Sequence, residues 1–492
     1  MATRLHKCPG RQFERLEQRL ALAAVPVVSA AGNPLRAPGE LTVVGDELYF
    51  SATEAADPYY EYSARLWKTD GTIAGTMGLS QTTLTAYGPR QLTASGGRLF
   101  FVQSDQHGSE LWVSDGTPGG TQLVSDIDPG PVGSGPQYLA DVDGQLFFSG
   151  QWGTDAELWT SDGTDAGTRR VLDINPNGWS APRELTDFHG TLLFIAYDDQ
   201  HGYELWRSDG TAAGTSLVKD VRPGPEGLRT RDDYPFQQFT VAGDTLYFVA
   251  DDGVHGRELW QTDGTETGTS LVKDIWLGDG SSQVAGLAAF EGRLYFGATD
   301  QDGDRELWST DGTEAGTIRV TAISTGSGDT GVWIPPGAQS GDRLYFIAHG
   351  GPLNTQLWST DGTPLGTQLV REFAGSMGGN FLSVELPSGM KTLFFAASDI
   401  SNQSPRLWKT DGTTAGTVEV LNDLYGDVYQ EIDKVVAFDG DLYFAGARVG
   451  DYGGMTRFAL LRTPIVNVGP PVANAGGPYT VIEGQSLTLH AT

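Results

Sequence analysis

One phrase, Glu-Leu-Trp-x-(Ser/Thr)-Asp-Gly-Thr-x-x-Gly-Thr, recurs with small variations along the chain. Its Leu-Trp core places tryptophans at Trp67, Trp112, Trp159, Trp206, Trp260, Trp308, Trp358 and Trp408, spaced 45 to 54 residues apart. A period of this size means one supersecondary unit copied in tandem. Most of the chain is therefore scaffold, and function has to be sought where the copies differ.

A second echo precedes each core: Leu48-Tyr49-Phe50, Leu99-Phe100-Phe101, Leu146-Phe147-Phe148 and so on to Leu442-Tyr443-Phe444. It occurs nine times, and Leu460-Leu461-Arg462-Thr463 is a worn ninth partner for the Leu-Trp core. Within one unit, Tyr138 to Val142 alternates and stops at Asp143-Gly144, a hairpin signal because that turn needs positive φ. Leu146 to Gly150 is a second strand, Glu157 to Ser161 a third and Arg170 to Ile174 a fourth, with the Asp-Gly-Thr hairpin between the last two. No apolar i, i+3, i+4, i+7 pattern is sustained. Four short strands per unit mark an all-β fold, a β-propeller blade repeated around a ring.

A propeller has to join its last blade to its first or leave sheet edges exposed. The ninth unit supplies three strands and no fourth. Val25 to Ala30, followed by Asn33-Pro34, matches Leu123 to Ile127 followed by Asp128-Pro129, at the same distance before the next Leu-Phe-Phe echo. The expectation is a single ring of nine four-stranded units closed by the N-terminal strand. Eight blades with a stray ninth unit is the alternative, since nine exceeds the commonest blade numbers.

The 62 acidic side chains outnumber the 32 basic ones, for a net charge of −30. That excludes the basic stripes that neutralise nucleic-acid phosphates. No apolar run reaches the roughly 20 residues of a spanning helix, so no transmembrane segment is expected. The single cysteine, Cys8, allows no intrachain disulfide. Arg4, Lys7, Arg11, Arg15 and Arg19 precede the short apolar stretch Leu20 to Val25, the pattern of an export signal. The chain is expected to divide into an export segment (1–24), the propeller (25–463), a Gly469-Pro470-Pro471 linker (464–472) and a further domain start (473–492).

The repeated phrase resembles the ELWxxDGT (hyalin-type) repeat family of bacterial extracellular proteins over about residues 40–463. Phe13 to Ala24 resembles the Leu-Glu-Pro-Arg-type export segment of large bacterial surface proteins, with Gln18 in place of the proline. Ala473 to Leu489 resembles the first two strands of a polycystic-kidney-disease-type immunoglobulin-like domain, too short for a whole sandwich. These resemblances imply a secreted or cell-surface setting and no established chemistry. The Asp-Gly-Thr hairpin also looks like the Asp-box of sialidase-type propellers, with different spacing.

Candidate chemistry is sparse. The eight hairpin aspartates (Asp70, Asp115, Asp162, Asp209, Asp263, Asp311, Asp361, Asp411) are one carboxylate per loop, too few for a calcium cage, which needs several. They are read as Asx-turn acceptors. Three loops read Asp105…His107…Glu110, Asp199…His201…Glu204 and Asp252…His255…Glu258, a donor set that can bind metal. Copies without the histidine keep the glutamate (Glu157, Glu306), so it is expected to accept backbone bonds or pair across blades. No catalytic residue, metal or cofactor is assigned, calcium remaining an unsupported option.

Four tryptophans stand outside the repeat cores: Trp152, Trp179, Trp276 and Trp333. Trp152 lies between strands two and three; the others lie near the passage from strand four to the next strand one. In an up-and-down blade these two loop classes share one face, opposite the Asp-Gly-Thr hairpins. Tyr59, Tyr60 and Tyr234 sit in enlarged loops of the same kind. Flat aromatic faces suit sugar rings or a protein partner, or they cover a neighbouring blade's core; Trp276 is expected to pack. These seven aromatics are the candidate ligand-binding residues. The expected function is a non-enzymatic binding or adhesion scaffold for an extracellular glycan or protein. A structural spacer and a polysaccharide-active hydrolase or lyase are the alternatives.

Overall fold

Alternation with a period of two places successive side chains on opposite faces of a strand, and in this chain both faces are apolar. The computed structural model describes residues 25–464 apart from 37, 55–63, 81–87, 229–238, 304, 324–330, 350–354, 387–388, 400–405, 421–434 and 449–456. Within the third unit, Phe147, Leu158 and Val171 pack with Leu192, Phe194 and Trp206 of the fourth. Leu146 and Phe148 pack instead with Phe100, Leu111 and Val113 of the second. Each sheet is thus a wall shared by two hydrophobic cores. In the Leu-Trp pair, leucine faces the following unit and tryptophan the preceding one. A sheet buried on both sides cannot end without exposing a core, so the units close into a ring.

The described residues form an all-β propeller of nine blades, four strands each, named a to d from the central channel outward. Blade 2 spans 90–123, blade 3 137–172, blade 4 183–219, blade 5 240–273 and blade 6 285–319, all antiparallel. Blade 7 (332–373) has an inner strand broken into Val332–Trp333 and Gln339–Ser340. In blade 3, strand a is Gln137–Val142, b Gln145–Trp152, c Asp155–Ser161 and d Arg169–Leu172. The a–b hairpin carries Asp143 (φ 50) and Gly144 (φ 83), the paired positive φ of the expected turn.

The N-terminal strand closes the ring. Val25–Pro26 pairs with the third strand of blade 9 through Val25–Arg462 and Pro26–Leu461, and the Val27 amide donates to the Leu460 carbonyl at 2.9 Å. Val27 and Leu35 then share one core with Leu48, Phe50 and Trp67 of blade 1 and Tyr443 and Leu460 of blade 9. A second stitch was not evident from sequence. Leu35–Arg36 pairs on one side with Ala459 and on the other with Glu54 and Thr53, so blades 9 and 1 become one continuous sheet. Nine blades hold, and the eight-blade alternative does not.

Leu35 is fully buried at this junction. Leu35→Ala is expected to destabilise the ring by about 2–5 kcal/mol, the range for buried leucine truncations. Thermal unfolding of the variant is the check. An unchanged melting temperature would mean that the junction contributes little to the cooperative unit.

Candidate functional site

The two ends of the ring are built differently. At one end lie the a–b turns and the Asp-Gly-Thr hairpins, and there each aspartate serves its own turn. Asp162 Oδ1 accepts from the Thr164 amide (2.9 Å) and hydroxyl (2.7 Å), while Thr164 Oγ1 accepts from the Gly167 amide. A Cβ at Gly167 would collide with the Asp162 carboxylate, which is why glycine recurs there. The same bonds repeat from Asp70 to Asp411. Hydroxyl and amide donors hold the Asp162 carboxyl below its ordinary pKa. The Asx-turn reading holds.

The opposite rim carries the b–c hairpins and the crossovers from strand d to the next strand a. Here the glutamate of Glu-Leu-Trp is buried and faces the crossover backbone. Glu110 accepts from the Asp128 and Ser134 amides and the Ser134 hydroxyl. Glu157 Oε2 accepts from the Ile174 amide (3.1 Å) and Ser180 hydroxyl (2.7 Å). Glu204 accepts from Val221 and Arg222, and Glu258 from Ile275, Trp276 and Ser282. Glu306 takes the Thr321 hydroxyl and Ile323 amide. Ser134, Ser180 and Ser282, 23 or 24 residues after their glutamates, are the sequence signal for this partnership. Burial pushes the Glu204 carboxyl up to about 8 and Glu258 up to about 7 against these stabilising donors.

The histidine loops are no metal triads. His107 Nδ1 contacts Asp105, His255 Nδ1 contacts Asp252, and each adjacent glutamate is turned away into its crossover. His201 is paired with Asp198 (2.8 Å), not Asp199; Asp199 meets Asn175 and Asn177 instead.

The aromatic candidates separate. Trp152 (59% exposed) and Trp179 (45% exposed) stand on the rim of blade 3 and its crossover to blade 4. Trp276 is half-buried and packs against Gly280, while Trp333 lies on the inner strand of blade 7 against its core. They share a rim with Trp152 and Trp179 but sit several blades away. Tyr59, Tyr60 and Tyr234 lie outside the described residues.

Around Trp179 the structure assembles groups that the sequence scatters. Its ring lies 5.1 Å from Tyr197 and 6.1 Å from Tyr203. The Arg183 guanidinium sits 3.9 Å above the Tyr203 ring, within cation–π range. Beside this stack a cleft of about 260 Å³ opens at the seam of blades 3 and 4, lined by Gln137, Tyr138, Gln151, Ala156, Arg183 and Tyr203 among others. Ala156, among its lining residues, stands where Ser109 stands in the preceding blade and Tyr203, Arg257 and Arg305 in the next three. The inner strands of blades 2, 3, 4 and 6 share a bulge at this end, with Gln91, Tyr138, Glu184 and Gly286 at positive φ. Tyr138 (φ 56) is the bulky member and is 43% exposed at the cleft. A left-handed conformation costs such a residue about 1–2 kcal/mol, and its recurrence in four blades makes it a property of the repeat.

No protein-family model matches the chain, and no curated protein matches it in sequence. Among solved structures it is similar to a puromycin hydrolase at 18% identity, covering 76% of this chain and 60% of that one, TM-score 0.37. It is similar to oligopeptidase B from Leishmania major at 13% identity, covering 81% and 58%, TM-score 0.40. It is also similar to the β-propeller domain of the Trilobed protease from Pyrococcus furiosus at 10% identity, covering 68% and 96%, TM-score 0.34. The chain thus spans about three fifths of the first two proteins. At these identities the likeness conveys the fold alone. The proteins named in these matches are peptidases and a hydrolase, against the expectation of a non-enzymatic protein. The reading of a non-enzymatic adhesion scaffold, argued from a lack of recognisable catalytic motifs, is therefore set aside. Among the described residues, no helix is long and apolar enough to cross a membrane.

The buried glutamates give the ring an unusual pH response. The folded pKa values of Glu157, Glu204 and Glu258 lie above the unfolded value of about 4.3, so folding takes up protons between there and pH 7–8. The stability they contribute is full below about pH 4.3 and is lost as pH rises through 7–8. The hairpin aspartates act oppositely and only at lower pH. The ring is expected to melt higher at pH 5.5 than at pH 8.5, with Glu204 contributing at most about 1.4 kcal/mol per pH unit in that window. Glu204→Gln removes its share of the slope; an unaltered slope in thermal melts would show that Glu204 stays ionised in the fold.

Proposed function

We propose that the propeller holds a peptide segment in the cleft between blades 3 and 4, as the substrate-holding domain of a peptide-processing enzyme. The cleft itself carries this reading. Tyr138 and Tyr203 line it, and the exposed Tyr138 offers an aromatic surface that suits an apolar side chain. Gln137 and Gln151, both exposed, bring amides that donate and accept, as a ligand's peptide groups require. Arg183 adds a positive charge on a chain of net charge −30, which favours the carboxylate end of a peptide. A small number of polar groups converging on a concave, partly aromatic surface is the usual make-up of a ligand site. The peptidase names among similarly folded structures agree with this setting without carrying it.

We further read the chain as an exported protein of the ELWxxDGT repeat kind. The repeated phrase supports this, as do the basic and then apolar first 24 residues.

Acetylated peptides carrying one aromatic residue and a free carboxylate are the probe, titrated calorimetrically into the full chain, with products checked by mass spectrometry. Tyr203→Ala and Tyr138→Ala are each expected to weaken binding at least tenfold. Absence of binding at millimolar peptide, or wild-type affinity in both variants, would remove the cleft as a peptide site.

A further inference from the structure

We propose that Asp155, Glu157 and Asp173 bind a hard divalent cation, calcium, on the loop-rich rim of blade 3. Each offers a carboxylate oxygen, and these atoms lie within 4.8 Å of one another. That spacing suits oxygens around one calcium ion at bond lengths of about 2.3–2.6 Å. Glu157 is wholly buried. Its Oε2 is taken by Ile174 and Ser180, whereas its Oε1 is buried with no hydrogen-bond partner. Asp155 Oδ1 is likewise buried and unpartnered, as is Asp173 Oδ1, a feature Asp173 shares with Asp220 and Asp274 of blades 4 and 5. The other aspartate oxygens face Arg170, at 2.9 Å to Asp155 and 3.3 Å to Asp173. With Glu157 ionised, three carboxylates and one guanidinium leave two negative charges, which a divalent cation neutralises. Buried carboxylate oxygens without donors are costly unless something positive meets them. The donor set is oxygen only, which selects calcium-like ions over zinc or copper.

The arrangement breaks the ring's symmetry. Asp126, Asp220 and Asp274 repeat Asp173 in blades 2, 4 and 5, beside Glu110, Glu204 and Glu258. At the position of Asp155, however, those blades have Gly108, Gly202 and Gly256. A Cβ there would collide with the crossover backbone, so a third carboxylate has no room. Blade 3 instead joins strands b and c through Gly153-Thr154, with Trp152 paired to Asp155, and its crossover leaves space for the side chain. Repetition of the pair together with one added carboxylate is what a single ion site in a ring of near-copies requires. The remaining coordination positions go to water. The site does not depend on the peptide reading of the cleft, and failure of peptide binding leaves it standing.

The test uses the full chain, freed of metal with a chelator and titrated with calcium by calorimetry and by thermal melting. The expected result is one calcium site, a raised melting temperature, and terbium luminescence sensitised from Trp152 that calcium displaces. Asp155→Asn and Asp173→Asn are each expected to weaken calcium at least tenfold while leaving the metal-free chain folded. Should one variant fail to melt cooperatively, the other decides. Absence of binding at millimolar calcium, undiminished binding by the folded variants, or a melting shift that magnesium reproduces in full overturns the assignment.

Discussion

A buried carboxylate that takes backbone donors from the next loop is the interaction on which blades 2 to 6 depend. A propeller's strands are easy to specify, because short alternating runs and tight hairpins suffice. The crossover from an outer strand back to the channel is harder, since it must run irregularly over a buried edge with its amides satisfied. Glu110, Glu157, Glu204, Glu258 and Glu306 solve this by reaching from strand c into the crossover and accepting two or more donors each. Desolvating a carboxylate is expensive, and the raised carboxyls of Glu204 and Glu258 record that cost. Blades 1, 7 and 8 place Arg65, Gln356 and Arg406 at this position, engaged with Glu54, Glu372 and Glu419. The central device is therefore local to one arc of the ring.

That arc is also where individuality lies. Once each crossover is pinned from below, the side chains above it can change without disturbing the wall of apolar residues. Ala156, where the next three blades have a large residue, lines the cleft at the blade 3–4 seam. Trp179 fills part of the space against Tyr197 and Tyr203. Asp155 replaces a glycine beside the pinned glutamate. All three departures lie on the same short hairpin and crossover, held by the Ser180–Glu157 bond. At the opposite end the same turn recurs from Asp70 to Asp411, each aspartate bonding the threonine two residues on within its own hairpin.

Much of the scaffold was legible in the chain. The echo at Leu146-Phe147-Phe148 and the phrase at Leu158-Trp159 marked two strands, and Asp143-Gly144 marked their turn. Val25 to Ala30 was legible as the closing strand because it copies a whole outer-strand segment. The stitch at Leu35–Arg36 was not, since two residues carry no period. Asp198 rather than Asp199 meets His201 through a one-residue difference in a tight turn that spacing cannot resolve. The site was less legible still. Trp152 and Trp179 stood out as departures from the repeat; Trp276 was expected to pack and does, while Trp333 stood out equally and lies against the blade 7 core.

The sequence alone determined a ring of tandem four-stranded units, because its apolar period and turn chemistry are local properties that each copy states afresh. It also determined that the hairpin aspartates serve their own turns, since donor and acceptor lie two residues apart. Only the tertiary structure decided which departures meet. Asp173 joins Asp155 and Glu157 because strand d pairs beside strand c, and Tyr138 faces Tyr203 because two blades abut. Such neighbours are set by packing across sheets, where residues distant in the chain are brought together by burial rather than by spacing.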